Sequence, residues 1–203
     1  VDTKRYTDIV INRDDYRNKL GIGKDDFLIL AVGELSTRKN HQIVIKALAE
    51  SKIANAVFMI CGNAMTSANT RNKLEEMAKE LKVDLRLMGL RDDIPQICKC
   101  ADIGVMPSTR EGLGLSGIEM LAAGIPVVAS NVHGIVDYIV DGEDGYLCAP
   151  DDEHAFAQAI IKLKNVEKRK CMANKCISIA RKFDKEHSYK RMRDIYEEVL
   201  SWE

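Results

Sequence analysis

Apolar and polar positions follow two rhythms along the chain. Near-continuous apolar runs stand at 27–33 (FLILAVG) and 56–62 (AVFMICG), with shorter ones at 84–89, 102–108, 126–130 and 145–150. Such runs suit strands of a parallel sheet covered on both faces. Between them the rhythm becomes helical. Ile43, Val44, Ala47 and Leu48 recur on one face, and so do Leu74, Met77, Ala78 and Leu81. Asp92, Asp93 and Pro95 mark the start of another helix. The alternation predicts an α/β fold: a Rossmann-like, doubly wound parallel sheet of about six strands, with right-handed crossovers and helices on both faces. Ligands of such sheets bind beyond the carboxyl ends of the strands. Chemistry is therefore expected in loops 33–40, 62–69, 89–93, 107–116 and 130–135.

Past Pro150 the strands stop, and extra carboxyl-terminal helices follow. The last, about 185–200, carries Tyr189, Met192, Ile195, Tyr196, Val199 and Leu200 on one stripe that must cover something. The first 22 residues are polar with one short helical piece and read as a linker entering the domain.

Composition narrows the function. Of 203 residues, 46% are hydrophobic, enough for one full-sized core. The net charge of −1 gives no global field for nucleic acid, so any phosphate must be held locally. The six cysteines form no C-x-x-C pair and read as reduced, mostly buried thiols, as in a cytoplasmic protein. No D-x-D motif stands at a strand end, and no metal is expected. No apolar stretch reaches spanning length.

The stretch TREGLGLSGIE (109–119) contains G-x-G-x-x-G, the letters of a dinucleotide fingerprint. Its position argues against that reading. The glycines follow the fourth strand rather than the first, and the next strand ends without an acid for a ribose. The backbone reading survives: Gly112 and Gly114 precede a helix whose free N–H groups suit a phosphate. Spacing alone allows Ser116 and Glu119 to form a capping box. Arg38 and Lys39 lie at the start of another helix, where adjacent cations oppose the macrodipole and a bound anion would relieve them.

The segments AVGELSTRKNHQIVIKALAE and LRLMGLRDDIPQICKCADIGVMPSTREGLGLSGIEMLAAGIPVVAS resemble the carboxyl-terminal, donor-binding domain of retaining glycosyltransferases of the GT-B fold, family 4, most closely the bacterial capsule and exopolysaccharide type. The most specific element is E-x7-E, Glu111 to Glu119. The resemblance implies roles. Glu111 would meet hydroxyls of the donor sugar. The N–H groups around Gly112, Leu113, Gly114 and Leu115 would cradle the distal phosphate. Glu119 would accept from the ribose hydroxyls. Lys39, with Arg38 and Gly33 in the same turn, would face the pyrophosphate, and the backbone at Leu90 and Arg91 would meet the base. Glu111 and Lys39 are the residues implied in catalysis. One departure stands out: the family usually has Arg after the first-strand glycine, where this chain has Glu34. That acid must turn away or play another part, with Arg38 as the nearest substitute cation.

The resemblance further implies transfer of a sugar, with retention, from a nucleotide diphosphate sugar, by family tendency a UDP-sugar, to a saccharide or lipid-linked acceptor. It implies no cofactor. It divides the chain into an interdomain linker (1–22), a sugar-nucleotide-binding domain (23–184) and a crossover helix (185–203). The acceptor-binding amino-terminal domain would be a missing partner, leaving this chain inactive alone, and the whole protein would sit in the cytoplasm at the inner face of a bacterial membrane. The alternatives are a non-catalytic sugar-nucleotide-binding module of the same fold and an unrelated Rossmann oxidoreductase.

Overall fold

A computed structural model describes residues 1–64 and 68–202. Positions 65–67 of the expected 62–69 loop, and Glu203, lie outside the described residues. Six strands form one all-parallel sheet: β1 (Phe27–Val32), β2 (Ala56–Cys61), β3 (Asp84–Gly89), β4 (Ile103–Met106), β5 (Val127–Ser130) and β6 (Gly145–Cys148), in the order β3-β2-β1-β4-β5-β6. The central strands are apolar without alternation because both faces are covered. Leu28, Ile29, Leu30, Phe58, Met59 and Ile60 are fully buried.

The crossovers divide the helices between the faces. Helices α3 (His41–Ser51) and α4 (Ala68–Glu80) carry the chain from β1 outward to β3. Helices α5 (Ile94–Cys100) and α6 (Leu115–Ala122) carry it back through β4 to β5 on the opposite face. Helix α7 (Glu153–Leu163) packs on α3, and α8 (Val166–Arg181) packs on α6. Because the chain leaves β1 in one direction and returns to β4 on its other side, the winding reverses between these two strands. The helices that follow them cover opposite faces, and such a reversal is where a crevice for ligands lies at the carboxyl edge.

The first 22 residues hold two helices rather than one short piece, α1 (Lys4–Thr7) and α2 (Arg13–Lys19). They pack on α5 and α6, with Tyr6 5% exposed and Arg17 fully buried. Arg17 is tolerated inside because its guanidinium is saturated. It donates to the carbonyls of Cys100 (2.8 Å), Gly23 (2.9 Å) and Asp26 (2.6 Å). Asp102, one residue before β4, ties this segment to the rest. It accepts from Arg13 (3.0 Å), Arg17 (3.4 Å), Arg169 of α8 (3.1 Å) and the Leu28 N–H (2.8 Å). The first residues also meet the junction between α8 and the last helix: Val1 donates to the Phe183 carbonyl (2.9 Å), and the Thr3 N–H to Asp184 (3.0 Å).

Helix α9 (Lys185–Leu200) buries none of its residues, and Tyr189, Met192, Tyr196 and Leu200 are all more than half exposed. Its apolar stripe has no cover among the described residues. Cysteines 61, 98, 100, 148 and 176 are buried, Cys171 is exposed, and all six are unpaired. Among the described residues, no helix is long and apolar enough to cross a membrane.

Candidate functional site

The turn after β1 and the loop after β4 meet at the crevice. Thr37–Lys39 form one 3-10 turn, which brings Arg38 and Lys39 back over the strand ends. The two segments are laced together through the backbone, since the Thr109 N–H donates to the Arg38 carbonyl at 2.9 Å. Residues 72 positions apart in sequence thereby become partners. The Lys39 ammonium donates to Glu111 Oε1 at 2.6 Å, and Ser108, two residues past β4, donates to the same oxygen at 2.7 Å. Arg38 Nη1 reaches Glu111 Oε2 at 3.3 Å and the Arg110 carbonyl at 3.2 Å. Burial works against the charged form of Glu111. The Lys39 ammonium and the Ser108 hydroxyl outweigh it and hold the carboxyl below the ordinary glutamate value.

Glu34 is engaged by its own turn. It accepts from Arg38 Nη2 at 2.9 Å and from Ser36 Oγ at 3.1 Å, and these two bonds lower its pKa. Gly33 lies under the Lys39 stem: a side chain there would begin 3.1 Å from Lys39 Cε.

The glycine loop does two separate jobs. Gly114 has a φ of +72° and is the N-cap of α6; a Cβ on it would sit 2.7 Å from Met106. Gly112 has open space where a side chain would be. Gly117 needs smallness instead, because a Cβ there would fall 2.2 Å from the Tyr138 hydroxyl. That hydroxyl donates to the Gly114 carbonyl at 3.1 Å and pins the start of α6. The N–H groups of Leu113, Gly114, Leu115 and Ser116 have no acceptor among the described residues, so the helix start presents a row of free donors.

The capping box that the Ser116–Glu119 spacing allows is absent. With Gly114 in the left-handed region the helix begins at Leu115, so Ser116 and Glu119 both lie inside it, and the N-cap receives no side-chain bond. Glu119 instead faces α1. Burial pushes its carboxyl pKa up, while the Tyr6 hydroxyl and the charge of Arg5 pull the other way. Tyr6 is a site neighbour that sequence reasoning missed, because an aromatic residue in a polar segment shows no periodicity to announce its burial. Ser108 was also missed, though its place just past a strand and three residues before Glu111 was a readable signal.

Leu90 and Arg91 stand on the loop after β3, at the same carboxyl edge but apart from the Lys39–Glu111 cluster. Leu90 is 76% exposed. The Arg91 guanidinium is committed to Asp93 at 2.8 Å, and Asp93 also accepts from Tyr16. Asp93 precedes α5 as expected, but its carboxylate serves Arg91 and Tyr16 rather than the helix start. Among the described residues, no group of three or more His, Cys, Asp or Glu side chains is placed to hold a metal ion.

Comparison with known proteins places the chain in a family. The family model for glycosyl transferases group 1 matches residues 12–183. The chain is 28% identical over 207 residues to the Escherichia coli UDP-Gal:alpha-D-GlcNAc-diphosphoundecaprenol alpha-1,3-galactosyltransferase, covering 98% of this chain and 53% of that protein. Among solved structures, Anabaena Alr3699/HepE in complex with UDP and glucose superposes with a TM-score of 0.90 at 23% identity, over 98% of this chain and 55% of that one. The carboxyl-terminal domain of a Francisella tularensis glycosyl transferase group 1 family protein (LpcC) superposes with a TM-score of 0.79 at 22% identity, over 90% of this chain and 97% of that domain. The chain thus spans about half the length of the full-length relatives it matches, and its sheet is the Rossmann-like half of a GT-B fold. It belongs to the glycosyl transferases group 1 family.

Proposed function

We propose that this chain is the donor-binding domain of a retaining, metal-independent family 4 glycosyltransferase of the capsule or exopolysaccharide type, using a UDP-sugar. The observation that carries the reading is the convergence at the β1/β4 reversal. Lys39 and Arg38 from one loop and Glu111 from the other flank the free N–H groups that open α6. A nucleotide diphosphate departing from a sugar is an anion, and fixed cations with unpaired N–H donors stabilise such charge as it develops. In this reading Lys39 faces the pyrophosphate, the N–H groups from Gly112 to Leu115 cradle the distal phosphate, and Glu111 turns to the sugar hydroxyls. Glu119 takes the ribose, and the backbone at Leu90 and Arg91 takes the base.

The reading extends to the whole protein. Residues 1–22 are the linker and 185–203 the crossover helix, whose bare apolar stripe is covered by an amino-terminal acceptor domain. That domain brings the acceptor, and transfer requires it. The protein works in the cytoplasm, peripherally at the inner face of a bacterial membrane, where a lipid-linked acceptor would be met.

Calorimetry with UDP tests the assignment. Lys39→Ala and Glu119→Ala are each expected to weaken binding about tenfold or more, the scale of one charge-assisted hydrogen bond. Unchanged affinity in both variants removes it.

A further inference from the structure

We infer that Glu34 is an internal competitor for the diphosphate, holding the Arg38 guanidinium away from an incoming nucleotide. This rests on the donor-site reading above and adds a regulator to it. The guanidinium is a rigid fork of donors, so a bond from one arm fixes where the other can point. One arm, Nη2, is given to Glu34 at 2.9 Å. The other makes longer contacts of 3.2 and 3.3 Å to the Arg110 carbonyl and Glu111. The best of the three bonds is therefore the one that draws Arg38 to the rim. Glu34 is itself oriented, because Ser36 Oγ donates to the same carboxylate oxygen at 3.1 Å.

The charge count points the same way. The two cations Arg38 and Lys39 are each paired with acids, Glu34 and Glu111, so neither is left unpaired for an anion. Lys39 and Glu111 are both largely buried (14% and 7% side-chain exposure), whereas Arg38 and Glu34 are at 45% and 34%. The outer pair can exchange partners at small cost, since exposed ion pairs are weak. A diphosphate therefore recruits Arg38 by displacing Glu34, and Glu34 sets how much affinity is lost in doing so.

A double-mutant cycle on UDP binding tests this, with wild type, Glu34→Gln, Arg38→Ala and the double variant measured by calorimetry, and uridine as a ligand without phosphate. Glu34→Gln is expected to tighten UDP binding about twofold to fivefold, the range of an exposed ion pair. The gain should vanish in the Arg38→Ala background and be absent for uridine. Unchanged or weaker UDP binding by Glu34→Gln overturns the inference. So does an equal gain without Arg38, which would mean that Glu34 acts by its field alone. Glu34→Ser, checked by urea midpoint, guards against an effect peculiar to glutamine. Lys39→Ala in the same series separates the two levels. If it weakens UDP binding, the donor site stands and Glu34 is judged by its own arms. If it does not, and uridine binds as well as UDP, the donor site itself fails and the inference with it.

Discussion

Gly117→Ala puts a number on the packing that holds the helix start in place. Helix propensity alone predicts a gain, because Ala in a helix interior is better than Gly by about 0.5–1 kcal/mol. The structure predicts a loss. A Cβ on Gly117 lands 2.2 Å from Tyr138 Oη and 2.3 Å from Met106 Sδ, where ordinary contact begins at 3.4 Å. Met106 has soft torsions, but Tyr138 is 3% exposed, donates to Gly114 and stacks edge-on against Phe183 at 5.9 Å. Overpacking of this kind costs about 1–3 kcal/mol, and a lost Tyr138–Gly114 bond adds about 0.5–1.5 kcal/mol. Set against the propensity gain, the net is a destabilisation of about 0.5–4 kcal/mol by urea unfolding. Tyr138→Phe removes the nearest atom and leaves ring carbon Cζ at 3.1 Å, so Gly117→Ala should cost less in that background. A Gly117→Ala protein as stable as wild type would refute the packing argument.

Other outcomes follow from the same contacts. Asp102→Asn removes the charge shared by Arg13, Arg17 and Arg169, and should destabilise by about 3–5 kcal/mol, the range for breaking a buried pair; a loss below about 1 kcal/mol would show those arginines satisfied by carbonyls alone. His41 is 4% exposed, and burial lowers its pKa to about 4, with the charge of Lys39 adding to this. A depressed histidine keeps its full stability above its unfolded value, about 6.5, and loses it as the pH falls toward 4. The stability of His41→Phe should therefore vary less between pH 7 and 4.5 than that of wild type, and parallel curves would contradict this. Asp184 is held near pKa 2, chiefly by the Thr3 hydroxyl and then by the Glu186 N–H. Its contribution should be complete above about pH 4 and drain as the pH falls to about 2, so Asp184→Asn should flatten that limb of an acid titration.

The sheet was legible because buried parallel strands are apolar on both faces, and that signal is local. The runs at 27–33 and 56–62 overshoot β1 and β2 by one residue each, the glycine that ends the run. The meeting of Lys39 with Glu111 needed topology as well, since no local pattern joins residues 72 apart. The capping box allowed at Ser116 does not form because spacing ignores backbone conformation, and a left-handed Gly114 sets the helix start at Leu115. Arg17 and Tyr6 were illegible for a different reason. A polar or lone aromatic residue is buried by the partners that satisfy it, here the carbonyls of Cys100, Gly23 and Asp26 around Arg17 and the α5–α6 surface over Tyr6. Those partners are distant in sequence or carry no side-chain signature.

The central claim is that a nucleoside diphosphate binds at the β1/β4 reversal, and a backbone NMR titration with UDP, with NAD as comparison, tests it most directly. Saturable shifts with UDP are expected at Lys39, at Gly112 to Leu115 and at Glu119, with weaker or no response to NAD. Shifts confined to other surfaces, or a preference for NAD, would contradict it.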